Sequence, residues 1–390
     1  MNHKIHFAGT LAAILLVSCV PLSATVTAVP STAIPTSTRA LIPTKTASLG
    51  STQITKTQIP RLLEPYQWNM SEDLRDLNRA IGEPAIKTLW FTPDALWWSS
   101  EDKNTALKIL KLGMDPGLGI RELHAQGITG KGITVAIIDQ PMRIDHPEFE
   151  GKIIRYLEIG TDLPDVSMHG PAVTSLLVGD HIGTAPDARV YFVGVPSWLE
   201  DAQYYADALD WIVEENKKLS EGSKIRVVSV STMPSGLWAL LHKNQHAWDA
   251  AYKRATEAGV LVLDCTYEQG ITVQCTQDLN DPDNMEKCIP NWSGPINPPH
   301  PRINIPTRRT TAIERDGEPV FSYQYTGTGG PSWTVPYLSG VLAMGWQINP
   351  DLTSAQLLDM IYTSAYKTDG PADIINPPAF IALVRQTVNP

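Results

Sequence analysis

Acidic residues are absent from the first 60 positions of this 390-residue chain, which carry only four basic residues. The other 330 residues hold 27 basic against 41 acidic side chains, a net charge of −14. Because this acidic body has no basic stripe, nothing in it could follow a phosphate backbone. The charge distribution therefore excludes nucleic acid from the expected partners.

The apolar run near the N-terminus is too short to cross a bilayer as a helix. Lys4 precedes 11 apolar or small residues, Phe7 to Val17, and Leu16-Val-Ser-Cys19 closes the run. This layout predicts a cleaved signal peptide over residues 1–18. Its ending resembles the lipobox of bacterial lipoproteins, which implies that Cys19 is the lipid anchor and that the protein is exported and membrane-attached. The alternative is an ordinary secretory signal in which the cysteine is incidental.

Residues 19–60 are poor in the side chains that build a core. From Pro21 to Pro60, 20 of 40 residues are Ser, Thr or Pro, and none is aromatic or acidic. This composition predicts an extended tether. Residues 61–117 are an N-terminal extension or a propeptide, with a helix predicted over 71–81. Its tryptophans, Trp90, Trp97 and Trp98 among them, are expected to be buried.

Strands and helices alternate in residues 118–390. Four apolar runs, at 132–139, 188–195, 225–231 and 260–263, predict strands buried on both faces. Amphipathic or capped segments between them, at 202–217, 245–258 and 353–362, predict helices. Such alternation indicates an α/β domain with a parallel sheet covered by helices. Sites in these sheets collect at the carboxyl ends of the strands.

The candidate nucleophile is Ser332. It lies in Gly327-Thr-Gly-Gly-Pro-Ser-Trp-Thr-Val-Pro-Tyr-Leu-Ser-Gly340, a glycine-rich approach followed by an apolar helical segment. A serine at the start of a helix has an unpaired backbone N–H and the positive end of the helix dipole beside it. Both features stabilise the oxyanion of a tetrahedral intermediate.

Two further segments supply partners for this serine. Asp139 ends the first buried run, and His169 opens His-Gly-Pro-Ala-Val-Thr-Ser-Leu-Leu-Val-Gly179. Together with the serine segment they resemble, in the order Asp, His, Ser, the three motifs of the subtilisin-like serine peptidases. Gln140 and Pro141 depart from the family pattern, in which a small residue and a glycine follow the aspartate.

This resemblance covers residues 118–366 and implies a three-layer α/β fold with a mainly parallel central sheet. It implies that Asp139, His169 and Ser332 act as orienting acid, general base and nucleophile. It also implies that the edge formed by Ser231, Thr232 and Met233 pairs with the backbone of a peptide substrate.

The oxyanion hole is where the sequence departs most from the family. The usual asparagine is missing from Leu263-Asp-Cys-Thr-Tyr-Glu-Gln-Gly270, and Glu268 falls at the gapless equivalent. An ionised carboxylate there would repel the oxyanion. Gln269 or Thr266 could donate instead if the turn is rearranged.

Cysteines are few. Cys275 and Cys288, in a polar loop, could close a disulfide, whereas Cys265 follows a buried strand and is expected to be a free thiol. No metal site is predicted, and no organic cofactor is implied. Calcium is common in the family, but no acidic loop in the sequence stands out as its site.

Two functions remain open at this point. The first is an exported, lipid-anchored serine endopeptidase acting on peptides or proteins through an acyl-enzyme. The second is a catalytically weak or inactive pseudopeptidase that binds peptides or a partner protein. The three motifs favour the first, whereas Glu268 and the glycine-poor edge at Met233-Pro234 favour the second.

Overall fold

The computed structural model describes residues 73–75, 78–160, 167–291, 301–315 and 321–388. The predicted signal peptide, Cys19 and the predicted tether lie outside these ranges. Within them, no helix combines the length and the apolar character needed to cross a bilayer.

The described ranges contain α-helices and β-strands in alternation over most of their length. The helices are α1 (Gly82–Ile86), α2 (Ser100–Leu112), α3 (Ile120–Ala125), α4 (His169–Val178), α5 (Ala202–Lys218), α6 (Gln245–Glu257), α7 (Thr334–Ile348), α8 (Ser354–Ser364) and α9 (Pro377–Gln386). The strands are β1 (Asp73–Leu74), β2 (Trp90–Phe91), β3 (Leu96–Trp97), β4 (Thr134–Asp139), β5 (Ile153–Glu158), β6 (Arg189–Gly194), β7 (Ile225–Val230), β8 (Leu261–Leu263), β9 (Thr272–Thr276), β10 (Ile289–Pro290), β11 (Arg302–Pro306), β12 (Arg309–Glu314), β13 (Phe321–Thr326) and β14 (Ala372–Ile374).

The centre of the fold is a five-stranded parallel sheet in the order β5-β6-β4-β7-β8. Every residue of β4 is buried, and its side chains alternate between two cores. Val135 and Ile137 pack with residues of α4 and α7, whereas Ala136 and Ile138 pack with residues of α5 and α6. This two-sided burial explains why the strand is apolar at consecutive positions. The predicted three-layer α/β fold is confirmed.

Two smaller sheets flank the region of the predicted nucleophile. One has the order β10-β9-β11-β14, and the other is antiparallel with the order β12-β13-β2. Cys275 of β9 forms a disulfide with Cys288, their Cα atoms 5.3 Å apart. Cys265 is a free cysteine, and burial raises the pKa of its thiol well above the ordinary value.

The N-terminal segment differs from its predicted structure at two points. Asp73 and Leu74 belong to no helix; they pair in parallel with β3, a long-range partner that periodicity alone does not reveal. Trp98, expected to be buried, is 51% exposed. Trp90 and Trp97 are half-buried. Of the three tryptophans expected to be buried, none is fully buried.

Candidate active site

Three elements bring the predicted Asp, His and Ser to one cleft. Asp139 is the last residue of β4, His169 is the first residue of α4, and Ser332 lies in a 3₁₀ turn, Pro331–Trp333, that leads directly into α7. The cleft lies at the carboxyl end of the parallel sheet, where α/β folds place their sites. Its lining residues are Asp139, Gln140, His169, Ser197, Tyr205, Ser231, Thr232, Leu240 and Ser332.

Asp139 and His169 are joined by a short hydrogen bond. The distance from His169 Nδ1 to Asp139 Oδ1 is 2.6 Å, and their side chains are 10% and 4% exposed. Close packing of the two loops requires Gly170, because a Cβ there would lie 2.3 Å from Gln140 O. The imidazole also packs against Trp333, with ring centroids 5.5 Å apart. A carboxylate on Nδ1 holds the proton on that nitrogen and leaves Nε2 as the basic one.

Gln140 links the aspartate loop to the start of the histidine helix. Its backbone N–H donates to Asp139 Oδ1 at 2.8 Å. Its side-chain amide donates to Ser197 Oγ at 2.8 Å and accepts from Ser167 Oγ at 2.7 Å. Ser167 Oγ in turn accepts from His169 N at 3.1 Å. The residue that departs from the family pattern therefore bridges the two loops that carry the pair.

Ser332 occupies the expected helix-start position. Pro331 is the first residue of the 3₁₀ turn, after Gly330, and neither a backbone nor a side-chain group of the described residues accepts from Ser332 N–H. Such a free donor is available to an oxyanion. In this structure Ser332 Oγ donates to Ser231 O at 3.0 Å. The hydroxyl is thus held at the cleft by Ser231, a residue of the edge that is predicted to pair with substrate.

The predicted substrate edge, Ser231, Thr232 and Met233, follows β7 and lines the cleft and an adjoining pocket. All three of its carbonyls are already bonded, since Ser231 O accepts from Ser332 Oγ at 3.0 Å. Thr232 O accepts from Cys265 N at 2.9 Å, and Met233 O accepts from Leu240 N at 2.9 Å. The loop that carries Leu240 therefore covers part of the edge to which a peptide backbone would pair.

The predicted oxyanion-hole residues are engaged in contacts of their own. Glu268 Oε1 accepts from Leu237 N at 3.0 Å. Thr266 Oγ1 donates to Asp264 Oδ1 at 2.7 Å, and burial raises the pKa of that carboxyl to about 6. Gln269 Oε1 is buried without a partner among the described residues. The carboxylate of Glu268 thus accepts from the backbone of the 236–237 turn. The hydroxyl of Thr266 donates its proton to Asp264.

A pocket of about 320 Å³ adjoins the nucleophile turn. It is lined by Met233, Trp238, Cys265, Thr266, Tyr267, Thr272, Val273, Gln274, Arg302 and Pro331. Arg302 is 5% exposed, and its guanidinium lies over the ring of Tyr267, 5.7 Å from the centroid. Burial lowers the pKa of this guanidinium from its ordinary value.

Several site residues were not found from the sequence. The bridge made by Gln140 and Ser167 joins residues 27 positions apart, and no local pattern signals it. Arg302 belongs to no recognisable sequence motif, and Trp238 and Leu240 lie in a loop of irregular structure. The departure at Gln140 from the family pattern was the one signal that could have pointed to the bridge.

Metal binding has no support in the described ranges, which hold no group of three or more His, Cys, Asp or Glu side chains able to bind an ion. The sequence offered no calcium site either.

Comparison with known proteins finds relatives in sequence and in fold. Residues 130–292 match the model of the subtilase family, Peptidase_S8. The chain is 24% identical over 280 residues to the subtilisin-like protease PopC of Myxococcus xanthus, covering 64% of this chain and 58% of that protein. It is 25% identical over 292 residues to the serine protease AprX of Bacillus subtilis, covering 64% of this chain and 65% of that protein.

The chain therefore spans less than two thirds of the length of these two relatives. Among solved structures, the PatG macrocyclase domain superposes with a TM-score of 0.51 at 16% identity, covering 68% of this chain and 95% of that one. The fold is subtilisin-like. By name, one of these relatives is a subtilisin-like protease and the other a serine protease.

Proposed function

We propose that this protein is a serine endopeptidase that hydrolyses peptide bonds through Asp139, His169 and Ser332. The observation that carries the proposal is the 2.6 Å hydrogen bond between His169 Nδ1 and Asp139 Oδ1, in the same cleft as the Ser332 hydroxyl. An oriented, buried imidazole beside a helix-start serine is the arrangement that activates a hydroxyl nucleophile.

The chemistry then follows from the positions of these groups. When substrate enters, the Ser332 hydroxyl leaves Ser231 O and transfers its proton to His169 Nε2 as Oγ attacks the peptide carbonyl. Asp139 stabilises the resulting imidazolium. His169 then protonates the leaving amine, and water hydrolyses the acyl-enzyme by the same steps with His169 again as base.

The free N–H of Ser332 is the oxyanion donor that this proposal uses. A side-chain donor of the kind the family provides is not supplied by Glu268, whose carboxylate accepts from Leu237 N. Loss of one such donor costs about 100- to 1000-fold in rate. The proposed enzyme is accordingly slower than relatives that have the asparagine.

A pseudopeptidase that binds peptides or a partner protein is the second candidate. Two contacts favour it: Ser332 Oγ donates to Ser231 O, and Met233 O is bonded to Leu240 N. Both must be broken before a peptide could be attacked and aligned.

A fluorophosphonate reagent separates the two candidates. We expect it to label Ser332 alone, because that serine combines a base with a free backbone donor. Ser332→Ala should abolish labelling, and Ser220→Ala, at an exposed position after α5, should leave it unchanged. Labelling that survives Ser332→Ala would reject the assigned nucleophile, and absence of labelling in the folded wild type would favour the pseudopeptidase.

We further propose that the protein is exported and held at the extracytoplasmic face of the membrane by a lipid on Cys19. The proposal is supported by the basic, apolar and cysteine-terminated order of residues 4–19 and by the Ser/Thr/Pro-rich segment that follows. The disulfide between Cys275 and Cys288 fits an oxidising compartment.

A further inference from the structure

Arg302 is a buried cation with unused hydrogen-bonding capacity. Its Nη2 donates to Tyr267 O, but its Nε is buried without a partner, and its Nη1 donates to no group in the described ranges. Buried polar atoms are nearly always paired, and an unpaired charged one is costly. An anion that enters its surroundings would therefore be stabilised.

No carboxylate oxygen of the described residues lies within 4.0 Å of a guanidinium nitrogen of Arg302, the distance of an ion pair. The carboxylate of Asp264 attracts Arg302 from beyond ion-pair distance, and its Oδ1 accepts from both Thr266 N and Thr266 Oγ1. Glu268, which follows Tyr267, directs its carboxylate to Leu237 N. Among the described residues, Arg302 therefore has no ion-pair partner within 4.0 Å.

The pocket that Arg302 lines is next to the reacting atoms. Pro331 directly precedes Ser332, and Met233 follows the strand end whose Ser231 O accepts from Ser332 Oγ. A peptide whose carbonyl lies at Ser332 Oγ has the side chain of that same residue, P1, two bonds away. The P1 side chain can therefore enter this pocket between Pro331 and Met233.

We propose that Arg302 selects substrates with an acidic P1 side chain, glutamate or aspartate, in the pocket lined by Met233, Thr266, Tyr267 and Pro331. The inference rests on the proposed function and specifies its substrate class. Stacking on Tyr267 and the bond to Tyr267 O fix the guanidinium in a water-poor site. Because Arg302 is already desolvated in the free protein, only the incoming carboxylate loses its water on binding.

The alternatives at P1 are each disfavoured for a stated reason. An aliphatic or amide side chain leaves the guanidinium without a counter-ion, and a lysine or arginine adds a like charge. A charge-assisted hydrogen bond is worth at least about 10-fold in relative rate. Glutamate against glutamine is the sharpest comparison, since the two differ in charge and hardly in shape.

The experiment compares peptides that differ only at P1, carrying Glu, Asp, Gln, Leu or Lys, with the full chain. We expect kcat/KM for the better acidic peptide to exceed that for the Gln peptide by about 10-fold or more. Arg302→Gln should reduce this preference below about 3-fold, and Arg302→Lys should retain part of it. Arg155→Gln, an equal loss of charge at an exposed position of β5, is the matched control and should keep the preference.

The possible outcomes test the role of Arg302 in P1 selection separately from the peptidase assignment. Cleavage by wild type with no acidic preference would overturn the role of Arg302 and leave the peptidase assignment standing. Fluorophosphonate labelling of Arg302→Gln verifies that its cleft is still formed. If wild type cleaves no peptide, binding to Ser332→Ala decides: tighter binding of the Glu than of the Gln peptide supports the pocket, and equal or absent binding overturns it.

Discussion

Glu268 shows how one contact changes the role expected of a side chain. Counted along the chain, it stands where the family places its oxyanion-hole asparagine. In the structure its Oε1 accepts from Leu237 N at 3.0 Å, and a Cβ on Gly236 would lie 2.1 Å from Oε2. The carboxylate therefore fastens the 234–241 loop, the loop that also carries Trp238 and Leu240 to the cleft.

From this contact we predict that Glu268→Asn does not accelerate the chemical step. The shorter amide loses the bond to Leu237 N without supplying a donor to the oxyanion, so kcat should stay within about 3-fold of wild type. Steady-state kinetics on one peptide measures kcat and KM separately. Glu268→Gln, which keeps the length and an acceptor oxygen, is the control. An increase in kcat of about 10-fold or more for Asn alone would place the carboxylate at the oxyanion position after all.

Strand β2 is one of the elements through which the N-terminal segment joins the domain. It pairs antiparallel with β13, and Phe91 lies opposite Tyr325 with ring centroids 5.1 Å apart. Leu89 O accepts from Gly327 N at 3.0 Å, at the start of the loop that leads to the nucleophile. The segment thus supports the backbone just upstream of Ser332.

We predict that this support contributes to the stability of the folded protein. Phe91 is 1% exposed, and Phe91→Ala should lower the free energy of unfolding by about 3–5 kcal/mol, the cost of truncating a buried aromatic. Trp98→Ala, at a site 51% exposed, should change it by less than about 0.5 kcal/mol. Denaturant unfolding measures both. A change of less than about 0.5 kcal/mol for Phe91→Ala as well, or active protein whose mass lacks residues 82–112, would show that the segment is dispensable.

At the scale of the whole molecule, charge distinguishes the acidic body from the acid-free N-terminal region. The body carries the cleft and a net charge of −14, whereas residues 1–60 carry the cysteine-terminated apolar run and no acid. A negative body has no electrostatic attraction to anionic lipid. Under the proposal above, the lipid on Cys19 provides the membrane attachment.

We predict that Cys19→Ala releases the protein from membranes and leaves its fluorophosphonate labelling unchanged. A single substitution outside the described ranges removes the acyl site without touching the contacts of the cleft. Fractionation of cells followed by labelling of each fraction measures both properties. Wild-type protein that is soluble and begins at a residue other than Cys19 would contradict the lipoprotein assignment, and Ser18→Ala is the control for the substitution itself.

The sequence by itself determined the architecture and the candidate triad. Buried parallel strands must be apolar at consecutive positions, so β4, β6, β7 and β8 were visible as runs, and they lie within one or two residues of their predicted bounds. The capping box at Thr353 and Gln356 is likewise present, because its two hydrogen bonds are local. Asp139, His169 and Ser332 were identifiable because strand ends and helix starts fix them in local motifs.

Only the tertiary structure decided the surroundings of that triad. The N–H that donates to Glu268 belongs to Leu237, 31 residues away, the bridge from Gln140 reaches Ser167 and Ser197, and Arg302 donates to Tyr267 O across 35 residues. Asp73 and Leu74 form a strand instead of the predicted helix because β3, more than 20 residues away, pairs with them. Local propensity and spacing carry no information about partners so distant, since loop conformation and packing bring them together.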